Sequence, residues 1–250
     1  MTPLIPAPGR ASGRAVLTAH TRFELTLLAR RGEAMVLSLV VPIVGMIAVG
    51  LTEVIRLPVG DRLSYAVTGA MALAALATAF TSQAIVVGYE RFYGVLKRLG
   101  ASSLSRSGLL ISKTAAIGVL VVGQLVAIGL IGVAVGWRPS LWHLLDAVAV
   151  TLLAAAAYSG FALMLASVLR PETTTAVATL VYTLLLIGGG VLFPTPALGD
   201  GRFLIPVTAH AEALRAMLTA GTFAPGLAWA GLLAWAVAGV AAARITFRWE

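Results

Sequence analysis

The side chains able to do chemistry in this chain are few and clustered. Residues 89–106 read YERFYGVLKRLGASSLSR, the only strongly charged stretch in the interior of the sequence. Glu90, Arg91, Lys97 and Arg98 can pair with charges on a protein partner or with lipid phosphate. Phe92, Leu96 and Leu99 recur at i, i+4 and i+7, which predicts a helix with one apolar face. A short basic helix of that kind lies on a membrane surface or docks into another protein.

Other chemistry is conspicuous by its absence. Ser107–Thr114, SGLLISKT, looks like a nucleotide-binding loop only at first sight. That loop needs glycine directly before Lys-Ser/Thr, because the backbone closes on phosphate, and here the place is held by Ser112. Lys113 is instead expected to snorkel to the inner interface. No HExxH occurs. His20, His143 and His210 fall on different segments, so they predict no shared metal site and no paired haem ligation, and each is expected to be interfacial or structural. The absence of cysteine excludes disulfide and thiol chemistry. No catalytic residue, metal site or bound cofactor is expected in this chain.

These residues must be positioned by elements of unusual composition. The 250 residues are 59% hydrophobic and 11% charged, with mean hydropathy +0.96. Soluble domains carry about 25% charged residues, and several apolar runs here are long enough to cross a bilayer as helices. Alternating strand patterns are missing, which argues against a barrel. The expected fold class is therefore an all-α integral membrane protein. Six spans are predicted, at 34–51, 63–88, 109–136, 144–169, 174–193 and 225–243, with Pro42 kinking the first. Before them, Val16, Ala19, Phe23 and Leu27 recur at helical spacing within Val16–Arg31, which predicts an amphipathic helix in the inner interface. The N-terminal stretch does not read as a cleaved signal peptide.

Six spans place both termini on one side. On this layout 13 of the 18 basic residues share a side with the 89–106 stretch, while the acids divide evenly. That side is cytoplasmic by the positive-inside rule. The organisation is then a cytoplasmic segment 1–33, a membrane domain 34–243 and a cytoplasmic tail 244–250. The basic residues are explained mostly by topology and anionic lipid, not by nucleic acid. Sixteen arginines against two lysines suggest a GC-rich bacterial genome and hence a bacterial cytoplasmic membrane.

The last external segment, 194–222, is the longest. Pro194, Pro196, Gly199 and Gly201 break regular structure. Thr208 is placed to cap a short helix through Leu218, with Glu212 and Arg215 as an i, i+3 pair. It reads either as a surface loop or as a hairpin dipping into the outer leaflet. Within the spans the polar side chains are Gln83, Gln124 and hydroxyls such as Thr78, Ser82, Thr151, Ser159, Thr179 and Thr183. Ion-coupled transporters carry buried ionisable groups as relays, and no clear one is visible mid-span. An ATP-driven mechanism needs none, but its ATPase must be a separate polypeptide.

The chain resembles the membrane subunit of a type-2 ABC exporter (the ABC-2-type permeases, including the daunorubicin-resistance group). Three features carry the resemblance. They are Glu90-Arg91, Gly94, Leu96-Lys97-Arg98-Leu99 and Leu104-Ser105-Arg106 after the second span; the order of basic helix, six spans and long final external segment; and Pro206-x-Thr208-x-His210-x-Glu212-x-Leu214-Arg215 before the last span, which is similar to the family's P-x-T-H-x-x-E-A-L-R element. One departure is that Ser102-Ser103 stand where family members often have Thr-Pro. The resemblance implies that residues 89–106 hold a coupling helix inserted into a separate ABC ATPase, which binds ATP and magnesium. Phe92, Leu96 and Leu99 would bury in its cleft, and Arg91, Lys97 and Arg98 would meet its acids or lipid. Glu90 would pair with an arginine, for example in the N-terminal helix. Two permeases, identical or sister chains, would enclose a path lined by residues such as Thr78, Ser82, Gln83, Thr179 and Thr183. The Gly188-Gly189-Gly190 run would allow close helix approach or unwinding.

The function this implies is export of a hydrophobic or amphipathic substrate: a drug, lipid or glycoconjugate. An ATP-independent secondary transporter or channel predicts an internal repeat and buried ionisable groups. A lipid-modifying membrane enzyme predicts convergent acids, histidines or a metal site. Neither pattern is evident in the sequence.

Overall fold

Every regular element among the described residues is a helix. The computed structural model describes residues 12–30, 32–52, 61–102, 104–191 and 196–247, leaving aside the side chains of 32–35, 37 and 196–198. The order is α1 (Gly13–Arg30), α2 (Gly32–Gly50), α3 (Arg62–Leu76), a π-helical turn (Ala77–Ser82), α4 (Gln83–Phe92), α5 (Val95–Gly100), α6 (Arg106–Ala134), α7 (Leu144–Val168), α8 (Pro171–Gly188), a 3-10 segment (Pro196–Leu204), α9 (Pro206–Leu218) and α10 (Gly226–Thr246). The expected end of the first helix at Arg31, Ser103 of the cassette, Phe193, Pro194 and the tail from Arg248 lie outside the described residues.

Local signals set the ends. Asp61 caps α3 by accepting from the Ser64 amide at 3.0 Å, and Ser105 caps α6 by accepting from the Gly108 amide at 3.0 Å. Pro171 and Pro206 open α8 and α9, where a missing N–H costs nothing. The glycine run unwinds the end of α8: the helix stops at Gly188 and Gly190 takes φ +67. This moves the expected fifth span, 174–193, about one turn towards its start.

Four helices are long and apolar enough to cross a membrane: Arg62–Phe92 (α3, the π-turn and α4 in continuous succession), α6, α7 and α10; Ser38–Gly50 of α2 is a shorter apolar helix. The π-turn had no sequence signature among apolar residues. Helices α6 and α8 expose Val119, Val126, Leu130, Leu180, Leu184 and Ile187, while the interior is rich in alanine. This is the distribution expected in hydrocarbon, where close backbone packing rather than water exclusion holds helices together.

The tightest join is between α7 and α10. A Cβ on Gly160 would stand 2.3 Å from the Gly239 carbonyl carbon, and one on Gly239 would stand 2.8 Å from the Ala157 oxygen. A helix forms over Gly13–Arg30, where the spacing predicts one. Phe23 of the anticipated apolar stripe is more than half exposed and Ala19 is exposed, whereas Glu24 is buried against the protein. Glu24 docks on the buried Lys113 of α6, while Val16 and Leu17 pack beside it near Leu109 and Gly108.

Gly160→Ala is expected to destabilise the chain by about 1–3 kcal/mol through overpacking. Gly123→Ala, where a Cβ meets nothing within 4 Å, should be neutral or slightly stabilising. Thermal unfolding of both variants in detergent distinguishes the two sites.

Candidate functional site

Helices α1, α4 and α6 converge on one lysine. Lys113 sits on α6 in phase with Leu109, Ser112 and Ala116, all buried, so its side chain points into the protein. Its Nζ donates to Glu24 Oε1 of α1 at 2.8 Å and to Glu90 Oε2 of α4 at 2.7 Å. Lys113 is only 3% exposed, and both carboxylates are buried. The snorkelling expected of Lys113 is therefore corrected: two inward carboxylates offer it better partners than the interface. Glu90 thus has Lys113 as a partner. The N-terminal helix does reach Glu90's site, but it does so with an acid, through Lys113.

A histidine flanks this cluster. His20 Nδ1 lies 2.8 Å from Ser112 Oγ, and Ser112 gives its own proton to the Leu109 carbonyl at 3.0 Å. That leaves Nδ1 as the protonated ring nitrogen. His20 Nε2 stands 3.7 Å from Glu24 Oε1. Burial holds the His20 pKa below its ordinary 6.5; the nearby Glu24 and Glu90 carboxylates raise it and Lys113 lowers it, but burial is the largest effect.

The charged cassette is two helices, not one. Helix α4 ends at Phe92, and Gly94 takes a left-handed φ of +70 that interrupts the helix before α5 begins at Val95. The predicted i, i+4, i+7 face is therefore split. Phe92 and its neighbour Tyr93 project outward, 64% and 65% exposed. Leu96 is 1% exposed and packs in a small second core with Val87, Leu104, Leu109, Leu163 and Phe247, against which Leu99 also rests. Leu96 is thus a core residue of this chain rather than part of a shared docking face with Phe92.

The cassette's cations divide similarly. Arg91 donates to the Ser167 carbonyl and, at 2.9 Å, to the Leu169 carbonyl, closing the end of α7. Arg91 is therefore committed within the chain, contrary to its expected outward role. Lys97 and Arg98 are exposed, with Arg98 Nη2 3.2 Å from the Tyr93 carbonyl. Ser102 Oγ donates to the Leu99 carbonyl at 2.6 Å and ends the α5 turn, doing with a hydroxyl what a Thr-Pro pair would do with a ring.

The external-segment residues gather at the far end of α8. Thr208 donates to the Gly189 carbonyl, Tyr65 to the Gly190 carbonyl at 2.7 Å, and Arg215 Nη2 to the Val191 carbonyl at 2.8 Å. Arg215 also pairs with Glu212 and lies 3.6 Å from the centre of the Tyr65 ring. Thr208 was expected to cap its own helix. Pro206 starts that helix earlier, and Thr208 instead serves the unwound end of α8. His210 is fully buried with Nε2 3.1 Å from Thr151 Oγ1, so it joins α9 to α7.

The five residues grouped as a pathway are not brought together. Thr78 is buried and donates to Gln124 Oε1 at 3.0 Å, and Gln124 donates to Ser38 Oγ at 3.0 Å. Gln83 is buried beside the π-turn and has no hydrogen-bond partner among the described residues. Thr179 and Thr183 are exposed on α8. Ser82 lines a groove of about 290 Å³ with Ser38, Thr81 and Tyr182. Among the described residues no group of acids and histidines could hold a metal ion.

A helical membrane chain with this cassette and this pre-span element has a match among known families. The family model described as ABC-2 type transporter covers residues 16–219, from α1 to the end of α9. The chain belongs to the ABC-2 type transporter family. It is a multi-pass membrane protein and the permease component of a transporter, not itself the ATPase. No curated protein matches the chain. The permease residues that sequence reasoning missed are Glu24 and Lys113. Their signal was present: Lys113 falls on the buried phase of α6, and Glu24 lies four residues after His20 on α1.

Lys113→Met is expected to cost about 3–5 kcal/mol, because two buried carboxylates lose their cation. Adding Glu24→Gln and Glu90→Gln should restore much of that loss in thermal unfolding. Acidification should loosen α1 as well. The folded His20 pKa lies below the unfolded value, so its contribution is present above pH 6.5 and is lost as pH falls towards the folded pKa. Protection of Gly13–Arg30 against hydrogen exchange, corrected for the pH dependence of the intrinsic exchange rate, should fall from pH 7.5 to about 5.5, and His20→Gln should flatten that response.

Proposed function

We propose that this permease is the membrane half of an ATP-driven exporter and that the α4–α5 corner is its contact with a separate ABC ATPase. The observation that carries this is the exposure of Phe92 and Tyr93 beside Lys97 and Arg98, at a corner whose Arg91 and Leu96 are committed within the chain. Two large aromatic rings in a basic surround match what anchors a protein interface. ATP and magnesium belong to the partner, whose conformational cycle would push on this corner.

The reading includes six membrane crossings with both termini in the bacterial cytoplasm. Two permeases, identical or sister chains, would meet so that the path runs along Ser82, Thr179 and Thr183. Thr78 and Gln83 would stand behind that path as internal supports. The apolar outer surface, with charge kept near the span ends, favours a hydrophobic or amphipathic cargo such as a drug, lipid or glycoconjugate, and a relationship to the daunorubicin-resistance group agrees with this. The same lack of buried mid-span charge disfavours an ion-driven carrier.

The tagged chain, solubilised gently from its native host, is expected to bring down a P-loop ATPase in stoichiometric amount. Phe92→Asp with Tyr93→Asp should abolish that association without changing thermal stability. Leu96→Asp should lower stability instead. A folded chain that emerges alone under every mild condition would end the coupling reading.

A further inference from the structure

Between α8 and α10 lies a cavity of about 460 Å³. Helix α8 leans on α4, the π-turn and α7, while α10 leans on α7 and α9, which leaves this space between them. Phe161 and Leu165 of α7 form its floor, with Leu76 and Phe80 from either side of the point where α3 enters the π-turn. Val177 and Val181 form one wall and Trp235 the other. The segment Leu204–Pro206 closes one end, with Leu204 73% exposed at the rim.

Two polar groups reach the walls, and both are already engaged. Tyr158 OH donates to the Pro206 carbonyl at 3.3 Å, and Trp235 Nε1 donates to the Leu204 carbonyl at 2.8 Å. The Phe161 ring packs edge-on to Trp235 at 5.3 Å, fixing the indole in that position. The interior thus offers an occupant no hydrogen bond. The size fits the range of small-ligand pockets, about 300–1,000 Å³, and the π-turn beside it is a distortion that recurs at functional sites.

We propose that this cavity binds one hydrocarbon tail of a bilayer lipid. The flanks of its mouth decide the occupant. Leu180 and Leu184 on α8, and Leu233 and Val237 on α10, are exposed apolar residues, and α10 with its neighbour α7 is long and apolar enough to cross a membrane. The mouth therefore opens into acyl chains, and a tail can enter sideways while its headgroup stays outside. The site lies within a single permease and goes beyond the export reading: it would be occupied whatever the cargo is.

The test uses the full chain in bilayers containing phosphatidylcholine with a photoreactive group at mid-chain. Crosslinks to peptides bearing Phe161, Leu165, Val177 and Val181 are expected severalfold above those to the outer face of α6 at Val119–Leu130. Leu165→Trp with Val181→Trp fills the space and should reduce the former severalfold while leaving the latter unchanged. Should that variant fail to fold, native mass spectrometry of the unaltered chain gives a second readout, with one phospholipid retained through detergent exchange. Equal labelling of both surfaces, labelling unaffected by filling, or no retained lipid would overturn the proposal. So would loss of the cavity crosslinks when permeases pair at high protein-to-lipid ratio, which would assign the cavity to a second copy. None of these readouts depends on transport or on an ATPase, so failure of the export reading leaves the result interpretable.

Discussion

The end of the molecule where α1, α4 and α6 meet depends on Lys113 and the two carboxylates it holds. Taking charges out of water is costly, and one cation between two acids at 2.8 and 2.7 Å is favourable only when all three remain in place. The cost therefore acts as a constraint on geometry. Helix α1 cannot roll its apolar stripe inward without stranding Glu24. Helix α4 cannot slide along α6 without withdrawing Glu90. Since α4 runs straight into Phe92 and Gly94, the ion cluster also fixes where the exposed corner stands.

Polar groups serve the opposite end of the permease in a different manner. There the unwound glycines of α8 leave three successive carbonyls without helical donors, and Thr208, Tyr65 and Arg215 supply them. The element that reads as a signature before the last span is thus a cap for a neighbouring helix. No charge is buried alone to achieve it, because Arg215 keeps Glu212 and the Tyr65 ring as company.

Much of this was legible in the sequence, and the reasons are physical. Apolar runs longer than a bilayer is thick leave little choice but helices, and the cores of the second, third, fourth and sixth predicted spans coincide with long helices. Proline and glycine placed the ends of α8 once their roles were assigned. What periodicity could not reveal was direction. The spacing of Phe92, Leu96 and Leu99 assumes an unbroken helix, and a single left-handed residue at Gly94 sends Phe92 outward and Leu96 inward. The stripe on α1 could not reveal that the same helix also buries Glu24 against the protein, because that depends on a lysine on another helix. Thr78 looked like a pathway group because sequence marks polarity but not which neighbour satisfies it, here Gln124.

The unbroken run from Arg62 to Phe92 has a mechanical consequence. Thirty-one residues at about 1.5 Å each make a rod of about 46 Å, longer than the hydrocarbon slab is thick. A force on the aromatic tip at one face is therefore delivered to the opposite face without passing through a loop. The π-turn sits near the middle of that rod, where its looser hydrogen-bonding ring makes it the natural fulcrum, and Phe80 rides on it. A small tilt at the tip would swing the Asp61 end through a comparable arc in the opposite sense, so that levering, rather than sliding, is the motion this helix is shaped to transmit.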